Sequence, residues 1–360
     1  MAGRLAVITS ELLNEDTHQV TPRRPLWFVL VMIGLVLGAV AVLGGFSLVP
    51  DPEPAGHERP LAGAQPSDAG PVPTKVHRPA DPDAQRTTGT RTDTTGWPGP
   101  SNTGVPAGRA LTPMGGMSIT RDGTVIDGAD ITGCVTVKAS NVTIRNSRIR
   151  GACAVGTVRT DLYGLTLNTR LENVEVDGQR RAPTWPLIVG SNFTCLRCNL
   201  HSGGSQLHFT DNVTVLSSWL HDPYQAGTSQ NSAMASHGGG GSVIRGNTLD
   251  CGTAENCSAA LALYGNFGPI HDVLIEGNLL SGGAYCMYAG SLPTRPFPVA
   301  TNVRVVGNAF ARAPYARCGF NGAATAWVRD GGNEWRGNYW NEPGRPPVPD
   351  PVAEAAQRRR

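Results

Sequence analysis

Four histidines fall in one short stretch of this chain, and their spacing places them in two groups. Asn192 and Asn212 are each followed nine residues later by histidine, in Cys198-Asn-Leu-His201 and in Ser218-Trp-Leu-His221-Asp222. An imidazole held by a carboxylate can move a proton near neutral pH. His201, His221 and Asp222, joined by His237, are therefore the catalytic candidates. The second group carries rings without carboxylates. His208, His237 and Tyr264 occupy short segments of alternating character, Gln206-Leu-His-Phe-Thr-Asp211, Ala233-Met-Ala-Ser-His-Gly238 and Ala260-Leu-Ala-Leu-Tyr-Gly265. Apolar or small residues at the second and fourth places would face inward, leaving the rings outside. A fourth segment, Tyr285-Cys-Met-Tyr-Ala-Gly290, is expected to put Met287 and Ala289 in that outer position. Tyr224 lies in an extra loop, Pro223 to Asn231, suited to walling a cleft. His208, Tyr224, His237 and Tyr264 are the ligand-contact candidates, because aromatic and neutral imidazole faces suit sugar rings better than a run of charge.

These groups need a scaffold that stacks residues distant in sequence, and a repeat supplies it. Asn141-Val-Thr-Ile-Arg-Asn-Ser147 recurs with drift. The copies begin at Gly123, Asn173, Asn192, Asn212, Gly241, Asp272, Asn302 and Gly332. From copy to copy the steps are 18, 32, 19, 20, 29, 31, 30 and 30 residues. The fourth residue of every copy is apolar, and the last two places favour Gly, Asn and Ser. Alternation with a closing turn describes one short strand per turn of chain. Steps in this range mean a stacked solenoid, so the expected fold is all-β, a single-stranded right-handed parallel β-helix. Successive strands would lie ~4.8 Å apart, bringing His201 and His221 within roughly 5 Å. Asn247, Asn278, Asn308 and Asn338 would form an internal amide ladder. A β-sandwich has no reason to repeat Gly-Asn at such even steps.

The rest of the chain divides by composition. Residues 1–25 are polar and end in Arg23-Arg24, and residues 26–49 carry no charge. At ~1.5 Å per residue a helix over 26–49 spans the ~30 Å hydrocarbon core. The arginines before it place the N-terminus in the cytoplasm and the remainder outside. No Ala-x-Ala site follows, which favours a single-pass anchor over a cleaved signal peptide. Residues 50–95, rich in Pro, Asp, Thr and Gly, read as a disordered linker. The β-helix domain is expected over 96–342, with 97–122 capping its first coil and Trp335, Tyr339 and Trp340 covering its last. Residues 343–360 read as a disordered basic tail.

All eight cysteines follow the apolar run, where disulfides persist. Coil register pairs Cys134 with Cys153 and Cys286 with Cys318, and Cys251 and Cys257 bracket a short loop. Cys195 and Cys198 would be ~10 Å apart in an extended strand. They can pair only if the strand turns after Cys195; otherwise they are buried thiols. No second Cys/His pair stands at zinc-ligand spacing, so the sequence names no metal and no cofactor. A net charge of +2 gives no footprint for nucleic acid.

The rungs, the Trp97-to-Gly108 lead-in, and the sequences Leu220-His-Asp222, Gly246-Asn-Thr-Leu-Asp250 and Phe267-Gly-Pro-Ile270 resemble the exported right-handed parallel β-helix repeat proteins of high-GC bacteria. The resemblance covers about residues 96–342. Pectate lyases and polygalacturonases share that fold, which implies a carbohydrate role, though fold alone does not carry function. The chain departs from those enzymes where relatives read Asp-Gly-Ile-Gln: here stands Ser232-Ala-Met-Ala235. Inverting hydrolases need two carboxylates at a set separation and calcium-dependent lyases need clustered acidic oxygens; Asp177, Asp211, Asp222, Asp250 and Asp272 are scattered. The expectation is a membrane-anchored extracytoplasmic β-helix that engages cell-envelope or environmental polysaccharide. A polysaccharide lyase or glycoside hydrolase is the enzyme alternative, and a spacer without ligand the structural one.

Overall fold

A computed structural model describes residues 94–352, apart from 161–166, 182–183, 227–228, 230, 254, 256, 343 and 345–346. The apolar run at 26–49, the linker to residue 93 and the last eight residues lie outside the described residues. Among those described, no helix is long and apolar enough to cross a membrane.

The described chain is all-β, built of parallel strands in stacked ladders, the arrangement of a parallel β-helix. Each turn of chain contributes to three faces. The first face runs from Val125–Asp127 through Thr143–Arg145, Thr169–Glu172, Phe193–Leu196 and Thr214–Leu216 to Glu334–Arg336. The second includes Arg148–Arg150, Glu175–Asp177, Asn199–His201, Trp219–His221, Thr248–Asp250 and Leu279–Ser281. The third includes Val158–Thr160, Pro186–Gly190, Ser205–Phe209, Asn231–Ser236, Cys257–Leu263 and Tyr285–Ala289. The long strand Ala129–Val137 pairs with both Arg148–Arg150 and Val158–Thr160, which joins the second and third faces at the first coil.

Alternation fixes which side is core. Leu200, Leu220 and Leu249 stack inward on the second face, while Leu207, Met234, Leu261 and Met287 do so on the third. The asparagine ladder forms as expected at the corner between the first and second faces. Asn247, Asn278 and Asn308 each donate Nδ2 and backbone N–H to the Oδ1 of the next rung, at 2.9–3.0 Å. Upstream, Ser218 takes the same place, its N–H donating to Asn247 Oδ1 at 2.9 Å.

One repeat copy was misplaced by the sequence reading. Asn173–Gln179 does not lie on the first face; Glu175–Asp177 within it belongs to the second. The first-face strand of that coil is Thr169–Glu172, preceded by Asn168, 27 residues after Asn141 and bonded to it at 3.0 Å. The confusion has a physical source. Asn168 and Asn173 both take left-handed φ, 59° and 53°, because the chain turns at each end of a first-face strand. Either corner therefore looks like the start of a repeat.

The chain ends also differ from expectation. Thr112–Ile119 supplies the first rung by pairing along Ala129–Val137. The lead-in before it runs along the outside of the second face instead of capping the coil. Trp97 packs on Leu279, Ala309 and Ala311, and Gly104 N–H donates to Arg197 O at 2.8 Å. Gly104 (φ 74°) lies so close that a Cβ there would meet Asn199 Cβ at 2.9 Å. At the far end Trp335 and Trp340 pack against the core with Phe310, but Tyr339 is exposed. Val348, within the stretch read as a tail, is 3% exposed and takes its place in the core. Its carbonyl accepts from Trp335 Nε1 at 3.0 Å, and Asp350 pairs with Arg329.

All eight cysteines are bridged: Cys134–Cys153, Cys251–Cys257, Cys286–Cys318 and Cys195–Cys198. The last pair answers the open alternative. Arg197 adopts φ 51°, and this turn brings the two Cα atoms to 5.9 Å.

Candidate functional site

The two groups picked out by the sequence lie on different faces. On the second face, His201 and His221 are register partners, and their rings stack at 5.3 Å between centroids. Asp222 does not join them. The chain turns at Asp222 (φ 46°), and its carboxylate meets Arg180 Nη1 at 2.9 Å. Arg180 also lies over the Tyr224 ring at 5.4 Å. Tyr224 thus belongs to the corner between the second and third faces, with Arg180 and Asp222.

The carboxylates beside His201 come from the coil below. His201 Nε2 is 3.4 Å from Glu175 Oε1, and Nδ1 is 3.8 Å from Asp177 Oδ1. Hydrogen bonding from His201 holds the Glu175 carboxyl below its usual range, opposed by burial and helped by Arg148. His221 is only 9% exposed, stacks on the Trp219 ring and lies 3.0 Å from Asn199 Oδ1. Sequence does not single out Glu175 and counts Asp177 only among the scattered acids, because their segment reads as belonging to another face. The signal was present: once Asn168 starts the coil, the Asp177 position falls directly beneath His201.

On the third face the rings form a continuous row. His208, Ala235, Ala262 and Tyr288 are successive register partners, and so are Thr210, His237 and Tyr264 by continuation of the same strands. The row His208–His237–Tyr264–Tyr288 has centroid steps of 5.2, 5.6 and 5.4 Å. Met287 and Ala289, expected outside, are buried in the core at 0% and 1% exposure. Tyr288 occupies the outer position instead. The register places Met287 beside Leu261, whose side faces in, so the fourth segment is shifted by one residue from the sequence alignment.

Beneath the row lies a floor of Ala235, Ala259 and Ala262, on which Tyr264 and Tyr288 pack. Small floor residues leave room for rings to lie close to the sheet. Phe267, 69% exposed, stands 5.7 Å from His237, and Arg295 lies over Tyr264 at 5.5 Å. Asn266 Nδ2 is 2.6 Å from His237 Nδ1, an amide donor facing a ring acceptor.

Burial sets the charge state of this row. It pushes His208 down to about 3, with His237 adding to the drop, and pushes His237 down to about 4, with Arg295 adding. Both imidazoles are therefore neutral at pH 7. Burial raises Tyr264 and Tyr288 above the ordinary tyrosine value, although Ser258 and Ser232 hydrogen-bond the Tyr264 hydroxyl. Ser232 thus serves a tyrosine. Among the described residues, the groups that shift these four rings include no carboxylate, and Arg295 is the one guanidinium. Among the described residues no cluster of three or more His, Cys, Asp or Glu is placed to hold a metal ion.

Compared with known protein families, curated proteins and solved structures, the chain matches none.

Proposed function

We propose that this chain is a membrane-anchored, extracytoplasmic, right-handed parallel β-helix protein that binds cell-envelope or environmental polysaccharide without cleaving it. The observation that carries the reading is the third-face row, four neutral rings over an alanine floor with an exposed Phe267 beside them. Aromatic faces of this kind pack against the apolar faces of sugar rings. The common form of glycoside hydrolysis uses two carboxyl groups, and among the described residues no carboxylate shifts the rings of this row.

The extracytoplasmic location rests on two supports. The charge-free stretch at 26–49 follows Arg23-Arg24, and the described domain has no free cysteine, as suits an oxidising compartment. The right hand follows from the strong chiral preference of parallel crossover connections.

The enzyme alternative has one observation in its favour, the placement of His201 between Glu175 and Asp177. The two readings separate by experiment. The full chain is incubated with a polysaccharide panel, and both retention and product release are measured. Binding without new reducing or unsaturated ends supports the proposal. Cleavage abolished by His201→Ala or Glu175→Gln would replace it with the enzyme reading.

A further inference from the structure

Ligand charge follows from the groups that face the third-face row. His208 and His237 are neutral, Tyr264 and Tyr288 keep their protons, and the floor is alanine. Among the described residues, Arg295 is the single cation placed over these rings. A polyuronate chain carries a carboxylate on every sugar. Laid along four rings, it would find one partner for its charges, and the rest would lose water against apolar surface. Desolvating an unpaired carboxylate costs far more than a sugar–aromatic contact returns.

The ring steps of 5.2–5.6 Å are close to the advance of one sugar unit along an extended chain. The row also has defined ends: Val189 precedes His208 and Thr325 follows Tyr288 in register.

We infer that the ligand of the third-face row is an uncharged, extended hexose polymer, contacted through about as many sugars as the row has rings. This inference rests on the glycan-binding reading above and names its substrate class.

The test uses the full chain in detergent micelles. Binding is measured to uncharged gluco- and manno-oligosaccharides of increasing length, and to polygalacturonate oligomers, at low and high salt. Affinity for an uncharged series should rise with length, level off once the oligomer spans the row, and change less than about twofold with salt, since no ion pair is formed. Phe267→Ala, an exposed change that leaves the core intact, should weaken it roughly two- to tenfold, the worth of one aromatic contact. His237→Ala should weaken it at least as much. Tight, salt-sensitive binding of polygalacturonate that Arg295→Gln abolishes would overturn the inference and leave the glycan reading standing. Uncharged-glycan binding that neither Phe267→Ala nor His237→Ala alters would overturn the assignment to this row. Failure to bind either series would sink both the inference and the glycan reading.

Discussion

Removing one rung of the asparagine ladder should cost the solenoid far more than its few atoms suggest. Asn278 is fully buried. Its Oδ1 accepts from the N–H and Nδ2 of Asn247, both at 2.9 Å, and its Nδ2 donates to Ile244 O and Asn308 Oδ1, both at 2.9 Å. In Asn278→Ala, Asn247 Nδ2 keeps Val215 O and Asn308 Oδ1 keeps the Asn278 backbone N–H. The Asn247 N–H and the Ile244 carbonyl lose these partners inside a dry corner. The orphaned Asn247 N–H costs ~1–3 kcal/mol and the carbonyl's lost second bond ~0.5–1.5 kcal/mol, so the expected loss is about 2–4 kcal/mol. Glu334→Gln, on an exposed ion-paired ladder, should leave stability nearly unchanged. The assay is urea unfolding with disulfides intact, followed by far-UV circular dichroism and tryptophan fluorescence. Hydrogen exchange at the Asn247 amide would show whether the damage is local, since solenoid units couple mainly to their neighbours. A loss below about 1 kcal/mol, with the Asn247 amide still protected, would refute the claim that the ladder stabilises the fold.

Other outcomes follow from the same structure. Because burial depresses His208 to about 3 from an ordinary 6.5, the unfolded chain binds more protons between those values, and stability should fall as pH drops from 6.5 towards 4. His208→Gln should flatten that slope by about 2–3 kcal/mol at pH 4, and an unchanged slope would contradict the burial assigned to this ring. Replacing Cys134 and Cys153 by serine and alanine opens a loop of separation 19 and should cost about 3 kcal/mol, against about 1–2 kcal/mol for the Cys195–Cys198 link of separation 3; denaturant midpoints compare the two. A chain ending at residue 342 loses the buried Val348 and the Arg329–Asp350 pair, so its melting temperature should fall several degrees below that of a chain ending at 352, which keeps both. Protease added to intact spheroplasts should digest the β-helix domain and spare the N-terminus; full protection would contradict the proposed topology.

The stacked architecture was legible in the residues alone, because alternation and recurring Gly-Asn corners leave few other ways to bury one face of so many short strands. So were the rungs from Asn212 onward, where near-constant steps make register unambiguous. The internal ladder of Asn247 to Asn338 and the Cys286–Cys318 pair follow from that register, Cys134–Cys153 follows from the first two copies, and Cys251–Cys257 from the short loop they bracket. The column of His237 and Tyr264 and the stacking of His201 on His221 were legible for the same reason. Where coil length drifts, between Asn141 and Asn192, sequence cannot tell one corner from the other, since both need a residue tolerant of left-handed φ. Only the tertiary structure put Glu175 and Asp177 beneath His201. It alone turned Asp222 away to Arg180, because the carboxylate leaves the strand at a bend. A one-residue shift likewise exchanged Met287 for Tyr288 on the outer row, since a period of two makes either register plausible until neighbouring strands choose. The path of Trp97 to Gly104 along the second face and the return of Val348 into the core were decided by contacts between distant parts of the chain, which leave no periodic trace in sequence.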